Sequence, residues 1–256
     1  MKFNHESGLT LKIKNADIYF EETGDLNKDV LLFLHGGLGN IEDFNEMLTL
    51  LKVKYRIIGI DTRGHGKSTL GAKNMTYEMV QKDVEAVLES LGINKLSIIG
   101  FSDGGIVAYR LACFSQLEIV KLVTIGASWH TNMLSGIKNV LSGVTAEMWT
   151  ARFPESVKLY YKINPQPDFE LLVQSTVDMW LDEAESGHPD NNVKKITCQL
   201  LVIRGDKDHL VNLNAAFGIA EYVENVHLAN IPFAGHAVFT EQNEILMNLI
   251  NQFLSA

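Results

Sequence analysis

Leu96-Ser97-Ile98-Ile99-Gly100-Phe101-Ser102-Asp103-Gly104-Gly105 is the stretch that decides how this chain folds. Leu96 to Gly100 is a short, mostly apolar run that suits a strand buried on both faces, and Gly105 to Ala112 carries a helical pattern. Between them Gly100-Phe101-Ser102-Asp103-Gly104 has the form G-x-S-x-G, which puts the serine on a tight turn from strand to helix. Glycines flank it because a side chain there would collide with neighbouring backbone. The hydroxyl then leaves the strand end toward a helix N-terminus, where backbone N–H groups and the helix dipole favour developing negative charge.

Similar apolar runs recur on both sides of this stretch: Val30 to Leu34, Ile57 to Ile60, Val120 to Ile125 and Leu200 to Ile203. Helical patterns lie between them. Tyr77, Val80, Val84, Val87, Leu88 and Leu91 share one helix face with Gly92 at the C-terminal cap, and Ile245 to Leu254 repeats that geometry. Strand and helix in alternation predict an α/β fold, a mostly parallel twisted sheet with helices on both faces. Leu9 to Thr23 reads as an antiparallel hairpin turning around Asn15 and Ala16. The rhythm breaks from Trp129 to about Lys195. That span holds all three tryptophans and four of the five prolines, with helix starts expected at Thr145, Pro154 and Asp168. It reads as a helical insertion, residues 129–195, in a core domain made of 1–128 and 196–256.

Composition narrows the function. The 256 residues are 46% apolar and 21% charged, as in an ordinary globular protein. A net charge of −9 without a cluster of Lys and Arg argues against nucleic acid. The start, Met1 to Glu6, lacks the apolar core of a signal peptide, and no apolar run approaches a membrane span. A soluble, cytoplasmic protein is expected. Cys113 and Cys198 match no zinc or redox spacing and read as buried thiols.

A serine is a poor nucleophile at neutral pH and needs a histidine that is itself held by a carboxylate. His236 stands in Phe233-Ala234-Gly235-His236-Ala237, between an expected strand and the last helix. Asp206 and Asp208 stand in Arg204-Gly205-Asp206-Lys207-Asp208-His209, just past the Leu200 to Ile203 run. Serine, acid and base each follow a strand. Parallel strands present their C-terminal ends on one edge, so distant residues can converge there.

On these residues the chain resembles the α/β-hydrolase fold superfamily along nearly its whole length. His35-Gly36-Gly37-Leu38-Gly39 is similar to the family's oxyanion loop. Asp61-Thr62-Arg63-Gly64-His65-Gly66-Lys67-Ser68 is similar to its D-x-R-G-x-G-x-S turn, and the insertion from Trp129 sits where the family carries a helical cap. The resemblance implies a catalytic set of Ser102, Asp208 and His236, choosing Asp208 over Asp206, and an oxyanion hole from the backbone N–H groups of Gly37 and Asp103. It implies a serine hydrolase acting on a small carboxylic ester, amide or lactone through an acyl-enzyme, without cofactor or metal.

The Ser-Asp-Gly-Gly sequence at 102–105 is similar to the biphenyl-hydrolase-like branch that includes valacyclovir hydrolase, where the matching acid anchors a substrate ammonium. Asp103 is therefore a candidate for binding an amino-acid ester, against a local role in the turn. Trp129, Trp149 and Trp180 are further candidates for lining a substrate pocket, against a role in the insertion's own core. The scaffold also accommodates carbon–carbon bond hydrolysis of ring-cleavage products, or a small-molecule receptor. Dehalogenation is disfavoured because that branch has an aspartate in place of Ser102. The ending G-H-G-K-S of the second loop mimics a phosphate loop, but Asp61 occupies the first glycine position and would repel phosphate. Gly37-Leu38-Gly39 lacks the third glycine of a dinucleotide site, with Glu42 in its place. His35 and His65 are expected to order their own loops. Oligomeric state is not legible.

Overall fold

The computed structural model describes residues 2–71 and 75–256. Strands β1 (Leu9–Ile13), β2 (Ala16–Gly24), β3 (Val30–Leu34), β4 (Arg56–Ile60), β5 (Lys95–Phe101), β6 (Glu118–Ile125), β7 (Gln199–Gly205) and β8 (Val226–Ile231) form one sheet, ordered β1-β2-β4-β3-β5-β6-β7-β8. β1 and β2 pair antiparallel, as do β2 and β4, and every other pairing is parallel. The hairpin pairs Ile13 with Ala16, so its two-residue turn is Lys14-Asn15, one position before the expected one. Lys14 takes the positive φ of 54° that such a turn requires.

Helices are α1 (Leu48–Leu51), α2 (Tyr77–Ser90), α3 (Asp103–Phe114), α4 (Lys138–Ser142), α5 (Ala146–Arg152), α6 (Pro154–Ile163), α7 (Phe169–Trp180), α8 (Leu213–Phe217), α9 (Val238–Glu241) and α10 (Asn243–Ser255). The continuous apolar strands fill two cores at once, because successive side chains alternate between faces. Leu32, Leu34, Ile58, Ile60, Ile98, Leu122, Leu200 and Val202 meet residues of α2, α3 and α8. Leu31, Phe33, Ile57, Ile99, Val123, Ile125, Leu201 and Ile203 meet residues of α1, α9 and α10. Neither face is left to water, which is why these strands show no polar alternation.

Residues 129–195 leave the sheet between β6 and β7, which are neighbours paired from Lys121 with Gln199 to Ile125 with Ile203. The helix starts read from sequence are found there. Thr145 and Asp168 accept hydrogen bonds from the N–H groups of Met148 and Leu171, and Pro154 opens α6. Val157, Tyr160, Phe169, Leu172, Val173 and Val177 make a separate apolar cluster. One foreign residue joins it: Leu38, from the loop after β3. The side-chain amide of Asn164, buried at the end of α6, donates to the carbonyls of Gly66 and Ser68, both at 2.9 Å, and of Gly64 at 3.3 Å. The insertion thus rests on the two loops that follow β3 and β4.

Among the described residues no helix is long and apolar enough to cross a membrane. Both cysteines are free thiols. Cys113 is buried as expected but Cys198 only half so, and burial raises their pKa values to about 12 and about 11.

Candidate active site

β5 ends at Phe101 and α3 begins at Asp103, two residues earlier than the sequence suggests, so Ser102 alone makes the turn. Its φ of 50° and ψ of −117° are rarely adopted by residues with a side chain, a strain of about 1–3 kcal/mol that the surroundings must hold in place. They do so through three bonds: Ser102 N–H donates to Ile125 O at 2.8 Å, while its carbonyl accepts from Gly105 N at 2.9 Å and Ile106 N at 3.1 Å. The flanking glycines are a matter of space. A Cβ on Gly104 would lie 2.0 Å from Leu34 O, and one on Gly100 2.4 Å from Gly104 O. The turn can be this sharp only if both are bare.

The loop after β7 brings up a carboxylate. Asp208 Oδ1 accepts from Leu210 N at 2.9 Å and Val211 N at 3.0 Å, and Oδ2 faces His236 Nδ1 at 2.9 Å. Its side chain is fully enclosed. Burial alone would raise its pKa, but the hydrogen bond and charge of His236 with the two amides outweigh burial and hold it below the ordinary value. Asp206, left open by the residues alone, is exposed, and among the described residues its side chain accepts only from Ala234 N at 3.3 Å.

His236 arrives on the loop after β8. With Nδ1–H donated to Asp208, the lone pair of Nε2 faces Ser102 Oγ at 3.0 Å. Phe101 packs on the imidazole with ring centroids 5.1 Å apart. Gly126 leaves room for it, since a Cβ there would stand 3.1 Å from the ring. Such a relay can draw a proton from the hydroxyl while the carboxylate stabilises the imidazolium that forms.

Gly37 lies on the loop after β3. There His35 Nδ1 donates to Gly36 O at 2.7 Å and its Nε2 accepts from Thr62 N at 2.9 Å, so this histidine ties its own loop to the next, as expected. His65 behaves likewise: Nδ1 donates to Arg63 O at 2.9 Å, and burial pushes its pKa down to about 3, keeping it neutral. Asp61, the residue that spoils the phosphate loop, is a hub. Its Oδ1 accepts from Ile41 N at 3.0 Å, and its Oδ2 from Lys67 N and His5 Nε2, both at 2.8 Å. His5 Nδ1 reaches Glu42 Oε1 at 2.6 Å. Among the described residues, neither the Gly37 nor the Asp103 amide donates within a loop or turn. The latter is the first N–H of α3, where the dipole favours an anion.

Asp103 accepts hydrogen bonds through both carboxylate oxygens, from partners on two other helices and not within its own turn. Oδ1 accepts from the Tyr77 hydroxyl at 2.8 Å and Oδ2 from Trp180 Nε1 at 2.7 Å. Burial raises its pKa above the ordinary carboxylate value despite these two donors. Of the three tryptophans only Trp180 is bonded to the elbow. Trp129 is buried against Tyr222 and His130, with ring centroids 5.1 and 5.2 Å away, and Trp149 packs on Phe153 at 4.8 Å within the insertion. Tyr77 was not among the sequence candidates because it fits the apolar face of α2. A hydroxyl on such a face still needs a partner, and that was the only signal. Among the described residues no group of three or more His, Cys, Asp or Glu is arranged to hold a metal ion.

The human serine hydrolase BPHL is 26% identical over 259 residues, covering 94% of this chain and 84% of its own. A bifunctional esterase/perhydrolase of Acinetobacter calcoaceticus is 27% identical over 258 residues, covering 90% and 93%. A hydrolase from Pseudomonas aeruginosa superposes with a TM-score of 0.80 at 19% identity, over 99% of this chain and 100% of that one. Residues 29–177, more than half of the chain, match the profile described as alpha/beta hydrolase fold, and to that family the chain belongs.

Proposed function

We propose that this protein hydrolyses small carboxylic esters through an acyl-enzyme on Ser102. The observation that carries the reading is the unbroken hydrogen-bond relay from the Asp208 carboxylate through His236 to Ser102 Oγ, at 2.9 and 3.0 Å. His236 takes the hydroxyl proton as Oγ attacks the ester carbonyl, and Asp208 holds the ring in the tautomer that can accept it. The Gly37 and Asp103 amides receive the oxyanion, each such donor contributing about 10²–10³ in turnover. The imidazolium then protonates the departing alkoxide. Water, deprotonated by the same nitrogen, attacks the acyl group and regenerates the serine. Residues 129–195 serve as a cap over this edge of the sheet. Two relatives named a serine hydrolase and an esterase support the substrate class.

An amino-acid ester anchored by Asp103 would share a carboxylate whose two oxygens each accept from one neutral donor and keep a second acceptor site. The test is labelling with a fluorophosphonate probe, followed by turnover of a p-nitrophenyl ester series. Ser102→Ala should lose the label and lower kcat by about 10⁴–10⁶, with an unchanged circular dichroism spectrum. Undiminished turnover in that variant eliminates the mechanism.

A further inference from the structure

We propose that Asp103 is a positioning residue: its carboxylate fixes the Trp180 indole against Gly37, so that helix α7 of the insertion supplies a flat apolar wall beside the reacting carbonyl. The proposal rests on the Ser102 reading above.

The carboxylate is anchored on both sides. Tyr77, buried in the core on α2, donates to Oδ1, and Trp180, the last residue of α7, donates to Oδ2 from 77 positions away in the chain. Val173, Val177 and Phe169 root α7 in the insertion's cluster, so the indole reports where the whole helix sits. Gly37 is the floor of this arrangement. A Cβ there would lie 2.4 Å from Asp103 Oδ2 and 2.8 Å from Trp180 Cζ2, so the carboxylate and the indole occupy the space a side chain would need. Gly37 and Asp103 also carry the two amides that face the oxyanion. An indole touching one and bonded to the side chain of the other borders the place of the substrate carbonyl.

A carboxylate so near a forming oxyanion opposes its charge. Its use lies elsewhere, in accepting hydrogen bonds from two different helices at once. The contrast with the other indoles is direct: Trp129 Nε1 and Trp149 Nε1 are buried without a hydrogen-bond partner among the described residues, whereas Trp180 is oriented. A wall of this kind favours apolar acyl or alcohol groups.

A double-mutant cycle on two substrates separates this role from substrate binding by charge. With methyl 3-phenylpropanoate and phenylalanine methyl ester, Asp103→Ala and Trp180→Phe should each lower kcat/KM about tenfold on both esters, as expected for loss of the charge-assisted indole hydrogen bond that both variants lack. The double variant should fall no more than about threefold below Trp180→Phe. Trp180→Phe should cost less on methyl acetate than on the phenylpropanoate. An Asp103→Ala loss that stays full in the Trp180→Phe background, or is confined to the amino ester, overturns the proposal. A second readout is free of turnover. In ¹⁵N-tryptophan-labelled protein one indole N–H resonance should lie downfield of the other two, vanish in Trp180→Phe, and move upfield in Asp103→Ala and in Tyr77→Phe. If it stays put in both of the latter, the latch does not exist. Absence of fluorophosphonate labelling and ester turnover in the unmodified protein would instead remove the Ser102 reading, with the resonance still deciding the latch.

Discussion

Replacing His5 by glutamine should convert the pH dependence of this protein's stability into a measure of one buried ion cluster. His5 is 2% exposed and lies between Asp61 Oδ2 at 2.8 Å and Glu42 Oε1 at 2.6 Å. Burial alone would lower its pKa, but hydrogen bonds and charge from Asp61 and Glu42 outweigh burial and raise it from 6.5 to about 9. At about 1.36 kcal/mol per pH unit, and allowing for Glu42 being 32% exposed, the cluster contributes roughly 2–3 kcal/mol. The sign follows from the direction of the shift. A histidine that binds its proton more tightly when folded stabilises fully below pH 6.5 and progressively less as pH rises through about 9. Lys67 donates to the His5 carbonyl, and burial raises the phenol of Tyr19, stacked on the imidazole, above its ordinary value. Urea unfolding of both proteins should give a gap of roughly 2–3 kcal/mol at pH 6 that closes by about pH 10. A gap that does not change between pH 6 and pH 9.5 would refute the reasoning.

Three other outcomes are expected. Asp208→Asn leaves the loop's geometry but donates toward His236 Nδ1, fixing the wrong tautomer, so kcat should fall by about 10⁴ with KM little changed in steady-state assays; a loss below tenfold would contradict the relay. Gly104→Ala puts a methyl 2.0 Å from Leu34 O, against backbone that cannot yield, so thermal unfolding should reveal a cost of about 3 kcal/mol or more together with lost fluorophosphonate labelling. Asn164→Ala strips three loop carbonyls of a buried donor, which should cost ~2 kcal/mol and lower Tm by about 4–8 °C; an unchanged Tm would mean that water replaces the amide without penalty.

What could be read from the chain follows from how local each signal was. β3, β5 and β7 were legible because burial on both faces leaves a mostly apolar run without alternation. β8, at the sheet's edge and largely half-buried or exposed, carries His227 and Asn230 and gives a fainter trace. Thr145, Pro154 and Asp168 announced their helices because a cap acts within three residues. Ser102 and His236 stood out through their glycines. The residues alone could not choose between Asp206 and Asp208, since only the turn of the folded loop aims one carboxylate at His236 and leaves the other in solvent. Aromatic character likewise did not say which tryptophan meets the elbow; that depends on how α7 docks. His5 carried no pattern at all, because its partners lie 37 and 56 positions away.

Leu38 holds a positive φ of 58° and sends its isobutyl group into the cluster of residues 144–181, while its neighbour Gly37 carries one of the two amides proposed above to receive the oxyanion. Raising those helices would therefore uncover an oily anchor and slacken the peptide unit attached to it. On the proposed function, admission of substrate and assembly of the anion receptor would be one mechanical event: a molecule caught with its roof lifted would hold a ready nucleophile but lack half of the cradle that makes attack worthwhile.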